Sequence, residues 1–191
     1  MSLNQNNEIL DVVIIGGGLV GGLTALLLAQ GGVQPTVLDA APILDADKTL
    51  DVANPRVLAL SQATIHLLKI VGVWNKLARQ QPYTGMQVWN KNGYGDINFG
   101  QPSEKTPSVE QALGSMVEPS ILNLAIQQKM LDDVQDYRTQ VKVSRVERGV
   151  GVWIIHLADG TQLKTKLVIG ADGANSFVRE QAFIDIDVLD Y

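Results

Sequence analysis

Gly16-Gly17-Gly18-Leu19-Val20-Gly21 has the spacing G-x-G-x-x-G. Between a strand and a helix this spacing makes a phosphate cradle. The first glycine permits a tight turn, the second lets a pyrophosphate approach the backbone, and the third lets the helix press on the strand. The helix N-terminus would turn unpaired N–H groups and a positive dipole end toward the phosphates. Asp39 follows Gly16 by 23 residues, near the roughly 20 expected of an acid that holds the ribose hydroxyls of an adenosine. An acid there disfavours a 2′-phosphorylated adenosine, because like charges would meet. The chemistry implied is dinucleotide binding, and these residues leave open whether the dinucleotide carries nicotinamide or flavin.

Two further constellations bear charge. Leu167-Val168-Ile169-Gly170 runs into Ala171-Asp172-Gly173-Ala174-Asn175-Ser176-Phe177-Val178-Arg179. It reads as a strand, an Asp-Gly turn, and a short helix carrying Ser and Arg; the Asp-Gly step alone marks only a turn. Pro55-Arg56-Val57-Leu58-Ala59-Leu60-Ser61 places a guanidinium ahead of a Ser-capped helix. A guanidinium can neutralise pyrophosphate charge with a fork of donors.

The elements that must position these groups follow from periodicity and punctuation. Residues 10–15 (Leu-Asp-Val-Val-Ile-Ile) are nearly all apolar and rich in β-branched residues, suiting a parallel strand covered on both faces. Leu19–Gln30 reads as a buried helix stopped by Gly31-Gly32, and Thr36–Asp39 as a second strand, so the unit is βαβ with parallel neighbours. Ala40–Arg56 shows no period and is expected to be a long functional loop. Ser61 should cap a helix through Val71, with a short helix around 73–79. Gly85–Asn98 reads as a hairpin turning at Asn92-Gly93, and Pro102–Ser108 as a loop. Pro119 should open a helix to about Gln135. Thr139–Leu157 and Gln162–Thr165 read as a three-stranded meander, Leu167–Gly170 as a separate buried strand, and Ile184–Tyr191 as the start of another. The expected class is α/β, with a mostly parallel central sheet and a β-meander.

Composition removes other functions. With 191 residues and 46% hydrophobic content, the chain can bury a core. The absence of cysteine excludes disulfides, thiolate metal sites and a cysteine nucleophile. Two histidines, His66 and His156, leave no histidine-rich metal site, and neither has an evident partner in the sequence. A net charge of −5 provides no basic field for nucleic acid. Asp132-Asp133 and the cations Lys142, Arg145 and Arg148 read as solvated faces, and Trp74, Trp89 and Trp153 as core or interface. No apolar run reaches the roughly 20 residues of a membrane span, and the N-terminus lacks the basic region of a secretory signal. The expected location is therefore cytoplasmic.

The second constellation resembles the Asp-Gly fingerprint of single-component flavin monooxygenases, and Arg56 stands in the Arg-x-x-Ala-Leu-Ser context of flavin hydroxylases. Together with Val57–Trp74, Pro82-Tyr83 and Val88-Trp89, these motifs resemble the ubiquinone-biosynthesis flavin hydroxylases, within the group A flavin monooxygenases typified by p-hydroxybenzoate hydroxylase. The resemblance covers nearly the whole chain and is most marked toward the benzoquinol ring hydroxylases. It implies a Rossmann-like FAD-binding domain of glutathione-reductase type over residues 1–191, with residues 80–117 starting a substrate subdomain. It implies FAD as cofactor, NADPH or NADH as transient co-substrate, and O2-dependent hydroxylation of a polyprenylated quinol or phenol. Such a substrate implies contact with the inner-membrane surface or a biosynthetic complex. Carried over by motif, Gly16, Gly17, Gly18, Leu19, Val20 and Gly21 would hold the pyrophosphate and Asp39 the ribose, while Arg56 and Asp172 would contact the flavin side; no catalytic residue is assigned. Pro119 stands near a position where the family usually has a polar amide. The later Gly-Asp-Ala-Ala-His segment is absent, so the expectation is the N-terminal half of such an enzyme. The competing readings are a non-catalytic dinucleotide-binding fragment and an NAD-dependent dehydrogenase; the Asp-Gly fingerprint and the meander disfavour the latter.

Overall fold

The computed structural model describes residues 8–91, 93–100 and 112–187. Asn92 of the expected hairpin turn, the loop Pro102–Ser108 and residues 188–191 lie outside the described residues. In chain order the elements are β1 (Ile9–Ile15), α1 (Leu19–Gln30), β2 (Thr36–Leu38), α2 (Ala46–Asp51), β3 (Leu58–Ser61), α3 (Gln62–Ile70), β4 (Gln81–Tyr83), β5 (Gly85–Trp89), β6 (Asp96–Gly100), β7 (Gly114–Val117), α4 (Pro119–Asp133), β8 (Asp136–Arg138), β9 (Val143–Arg148), β10 (Trp153–Leu157), β11 (Gln162–Gly170) and α5 (Phe177–Gln181). A 3-10 turn covers Trp74–Lys76. The chain divides into two units, Met1–Leu44 with Ile126–Tyr191, and Asp45–Ala125.

The first unit is built on a six-stranded sheet of order β8-β2-β1-β11-β10-β9. β8, β2, β1 and β11 are parallel, and β10 and β9 return antiparallel as the meander. Side chains alternate along β1. Val13 and Ile15 join Leu38, Val146, Ile155 and Leu157 in one core cluster, while Val12 and Ile14 are buried on the opposite face. Burial on both faces is why the strand reads as one apolar run. At roughly 1.5–3 kcal/mol per buried aliphatic side chain, these four residues outweigh the Lys166–Asp11 ion pair on the same strands. That pair is 66% and 65% exposed and worth about 0–1 kcal/mol. α1 lies close to α4: a Cβ on Gly22 would come within 3.1 Å of Met130 Cε.

The second unit holds an antiparallel sheet of order β3-β7-β4 and the separate hairpin β5-β6. Ser61 caps α3, accepting a hydrogen bond from the Thr64 N–H at 3.3 Å, as its position before the helix requires. The hairpin pairs Trp89 with Asp96 and Gln87 with Asn98.

Several elements differ from expectation. The long loop contains α2, started by Asp45, whose side chain accepts from the Lys48 N–H at 3.2 Å; one capped turn has too few residues to show a period. β3, β4, β7 and β8 have three or four residues each, too short for alternation to register, and Pro82 inside β4 argues against a strand. The third meander strand and the last buried strand are one element, β11. It pairs with β10 through its first half and with β1 from Lys164 to Gly170, so no break is needed where the neighbour changes. Residues 184–187 form no strand.

Candidate cofactor site

The parallel ladders bring the candidate residues to one level. Ile15 stands opposite Leu38 of β2 and Gly170 of β11, so Gly16, Asp39 and Ala171 all follow directly after aligned strand ends. The ladder carries on past the strands: the Gly16 N–H donates to Leu38 O and the Ala171 N–H to Ile15 O, both at 2.8 Å. Ligands in open α/β sheets bind at such carboxyl ends.

The glycines of the first turn divide by what surrounds them. Gly16 has φ 103°, and a side chain there would run into the backbone of Ala171. A Cβ on Gly21 would run into the Gly16 carbonyl, which is why α1 can lie this close to the end of β1. A Cβ on Gly17 would sit 2.7 Å from Asp39 Oδ2 and 3.1 Å from Tyr137 Cε2. Gly18 has open space around its Cβ position. Gly16 and Gly21 are therefore required by backbone packing, Gly17 faces the side chains of Asp39 and Tyr137, and of these four glycines Gly18 faces room that a ligand could fill.

Gly18 is also the N-cap of α1, and no side chain caps it. The first helical bond runs from the Gly22 N–H to Gly18 O at 2.8 Å, so Leu19, Val20 and Gly21 offer amides without a helical partner. No acidic side chain stands in this first turn. The arrangement suits an anion at the positive end of the helix dipole.

Asp39 is half-buried. Its Oδ1 accepts from the Ala41 N–H at 3.0 Å, which fixes the carboxylate beside Gly17. Tyr137 of β8 lies next to it. Burial, followed by the Asp39 charge, pushes the phenol pKa up to about 12, and Gln127 offsets part of the rise. The hydroxyl is buried and has no hydrogen-bond partner among the described residues; Gln127 Oε1 accepts from the Leu44 N–H at 2.9 Å. Sequence reasoning missed Tyr137 because β8 is three residues long and carries no motif.

Asp172 stands just after the end of β11, part-buried, and holds its own loop. Its Oδ1 accepts from Ser176 Oγ and its Oδ2 from the Val178 N–H at 3.1 Å. Ser176 in turn caps α5 by accepting from the Arg179 N–H at 3.1 Å, and Arg179 Nη1 donates to Ala174 O at 2.9 Å. The side chains of the Asp-Gly fingerprint thus hold their own loop, with Gly173 at φ 97° making the turn. Gly173, Ala174 and Asn175 are the exposed residues of this loop.

Arg56 belongs to the second unit; its side chain is exposed and its N–H donates to Asn54 Oδ1 at 2.9 Å. His66 is exposed on α3. His156 does have a partner: its Nε2 lies 2.8 Å from Glu147 Oε1 on the meander, a cross-strand pairing invisible in the linear spacing. Lys129 and Asp133 form an i,i+4 pair on α4. Arg148 covers the Trp153 ring at 5.7 Å from its centroid.

A family model described as FAD binding domain matches residues 9–189. The chain belongs to the FAD binding domain family. Its cofactor is accordingly FAD, and the first unit fits that group: open space over Gly18, uncapped amides after it, and a carboxylate at the end of β2. Among curated relatives, this FAD binding domain is 35% identical to the 3-demethoxyubiquinol 3-hydroxylase of Escherichia coli (strain K12), over 98% of the chain and 47% of that protein. It is 32% identical to the mitochondrial ubiquinone biosynthesis monooxygenase COQ6 of Danio rerio, over 96% of the chain and 40% of that protein. The chain spans less than half the length of these relatives. The solved structure of p-nitrophenol 4-monooxygenase PnpA from Pseudomonas putida DLL-E4 superposes with a TM-score of 0.71 at 22% identity, covering 96% of this chain and 46% of that one. That likeness establishes the α/β fold with its mostly parallel sheet. Among the described residues, no helix is long and apolar enough to cross a membrane.

Proposed function

We propose that this chain is the FAD-holding part of a monooxygenase that hydroxylates the aromatic ring of a polyprenylated quinol or phenol in ubiquinone biosynthesis. The 35% identity to a demethoxyubiquinol hydroxylase over nearly all of the chain supports the substrate class. The observation that carries the binding role is the open approach to Gly18 beside Asp39, at the meeting of three strand ends.

Bound FAD supplies the redox chemistry, with NADPH or NADH as electron source and O2 as the oxygen donor to the ring. The Leu19 and Val20 amides and the Gly18 backbone hold the pyrophosphate, with Gly16, Gly17 and Gly21 shaping the turn. Asp39 accepts hydrogen bonds from the adenosine ribose. Asp172 acts through the loop it organises, presenting the Ala171–Gly173 backbone to the flavin half. Arg56 neutralises pyrophosphate charge; that role rests on its sequence motif. Residues 80–117 contribute the start of a substrate subdomain, whose hairpin β5-β6 leaves Trp89 69% exposed. The substrate's prenyl chain calls for contact with a membrane surface or a partner complex.

The test has two parts. FAD is added to the chain, free flavin is removed, and retained flavin absorbance is read with and without excess NAD as competitor. Retention that NAD does not displace supports the reading; displacement by NAD at comparable concentration favours a dehydrogenase. A full-length protein containing this chain is then supplied with NADPH or NADH, O2 and a polyprenylated quinol. A product heavier by one oxygen atom is expected, and oxidation of the nicotinamide without product would refute the hydroxylase assignment.

A further inference from the structure

The second unit contains a hydrogen-bonded clamp with no part in the motifs. Arg79 Nε donates to Glu118 Oε1 at 2.8 Å and its Nη2 to Glu118 Oε2 at 3.2 Å. The same guanidinium reaches the chain ahead of Arg56, its Nη1 donating to Leu50 O at 2.7 Å. Glu118 Oε2 accepts the Asn54 N–H at 2.7 Å, and Asn54 Oδ1 accepts the Arg56 N–H at 2.9 Å. An unbroken series of bonds therefore leads from Arg79 through Glu118 and Asn54 to the backbone of Arg56.

A lone surface ion pair adds little order. This one differs in three ways. Its fork is bidentate, which fixes orientation as well as distance. Glu118 is only 13% exposed. Both partners also bind backbone groups, Arg79 at the end of α2 and Glu118 in the stretch between α2 and β3, which has no ladder of its own. Without the clamp, the described residues from Val52 to Arg56 would keep the Asn54 side-chain bond to the Arg56 N–H.

We propose that Arg79 and Glu118 are positioning residues that lock the stretch Val52–Arg56 in one conformation and so set the direction of the Arg56 guanidinium. The consequence for the cofactor rests on the reading of Arg56 given above. An arginine held by its backbone in advance loses less freedom when it meets a phosphate than one on a mobile loop.

The experiment measures amide hydrogen exchange in the whole chain and then FAD affinity. In the wild-type protein the Asn54 and Arg56 amides should exchange slowly. Glu118→Gln keeps the shape but weakens the acceptor for Asn54, so both amides should exchange at least about tenfold faster. Asn54→Ala should release the Arg56 amide, and Asn54→Asp, which keeps Oδ1, should protect it again. Arg79→Lys keeps the charge without the fork and should behave like Glu118→Gln. Unchanged exchange in Glu118→Gln and Arg79→Lys would overturn the clamp. FAD titrations of Arg56→Ala, Glu118→Gln and the double variant then form a cycle. If Glu118 acts through Arg56, the double variant binds within about twofold of Arg56→Ala; multiplied losses would overturn the positioning role. If the wild-type chain by itself binds no FAD, the titrations are made on a full-length protein containing it, while exchange decides the clamp.

Discussion

The carbonyl oxygen of Ala171 fills the space that a side chain on Gly16 would need. Two turns far apart in sequence are thereby in contact, and the second leaves no room for a side chain at Gly16. The Ala171 N–H bond to Ile15 O, at 2.8 Å, fixes the same approach from the other side. Gly16→Ala meets both this overlap and a φ of 103°, a strain of about 1–3 kcal/mol by itself. Urea unfolding should show a loss of at least that size, and wild-type stability would mean that the two turns are not packed as described.

Gly18 and Gly21 should separate binding from folding. Gly21→Ala forces α1 away from the Gly16 carbonyl and should cost about 1–3 kcal/mol of stability. Gly18→Ala has room for its methyl group and should melt within about 0.5 kcal/mol of the wild type. It should nevertheless weaken FAD by at least about tenfold, because the methyl group occupies the approach to the phosphate-facing backbone. Equal FAD affinity in Gly18→Ala would place the pyrophosphate elsewhere.

For Asp39, replacement by alanine should weaken FAD by about 1–3 kcal/mol, the range for a hydrogen bond to a charged group. Fluorescence titration of the flavin measures it. An unchanged dissociation constant would remove Asp39 from the ribose site.

Asp172 should behave as a structural residue. Asp172→Ala leaves Ser176 Oγ and the Val178 N–H without their acceptor, at about 1–3 kcal/mol for each polar group left unsatisfied. The melting temperature should fall even without flavin. A variant as stable as the wild type that had lost only flavin affinity would restore the direct contact inferred from the motif.

Tyr137 makes a pH prediction. Its phenol titrates at about 12 in the folded chain, above the ordinary 10.0. As pH rises past 10, the unfolded form loses its proton first. The contribution to stability is thus complete below pH 10 and is lost as pH climbs toward 12. Tyr137→Phe should flatten this part of the stability curve, and ultraviolet difference absorbance against the variant should show the late ionisation. A phenol titrating near 10 would contradict its burial beside Asp39.

Local sequence carries the βαβ unit, the span of α1, the hairpin, the start of α4 and the order of the meander. Those elements rest on local physics: period, glycine stops, a proline at a helix start, and runs long enough for a pattern to repeat. It also named Gly16–Gly21, Asp39 and Asp172, because the phosphate cradle and the Asp-Gly turn are short-range motifs. Packing in three dimensions sets why each residue is what it is. Gly16 and Gly21 answer to Ala171 and to one another, Gly17 to Asp39 and Tyr137, and Asp172 to its own loop. The short strands β3, β4, β7 and β8 are set by partners supplied from distant segments, so no local signal could announce them. The Arg79–Glu118 clamp was invisible for the same reason: its residues are 39 apart in the chain, and a hydrogen bond depends on distance in space.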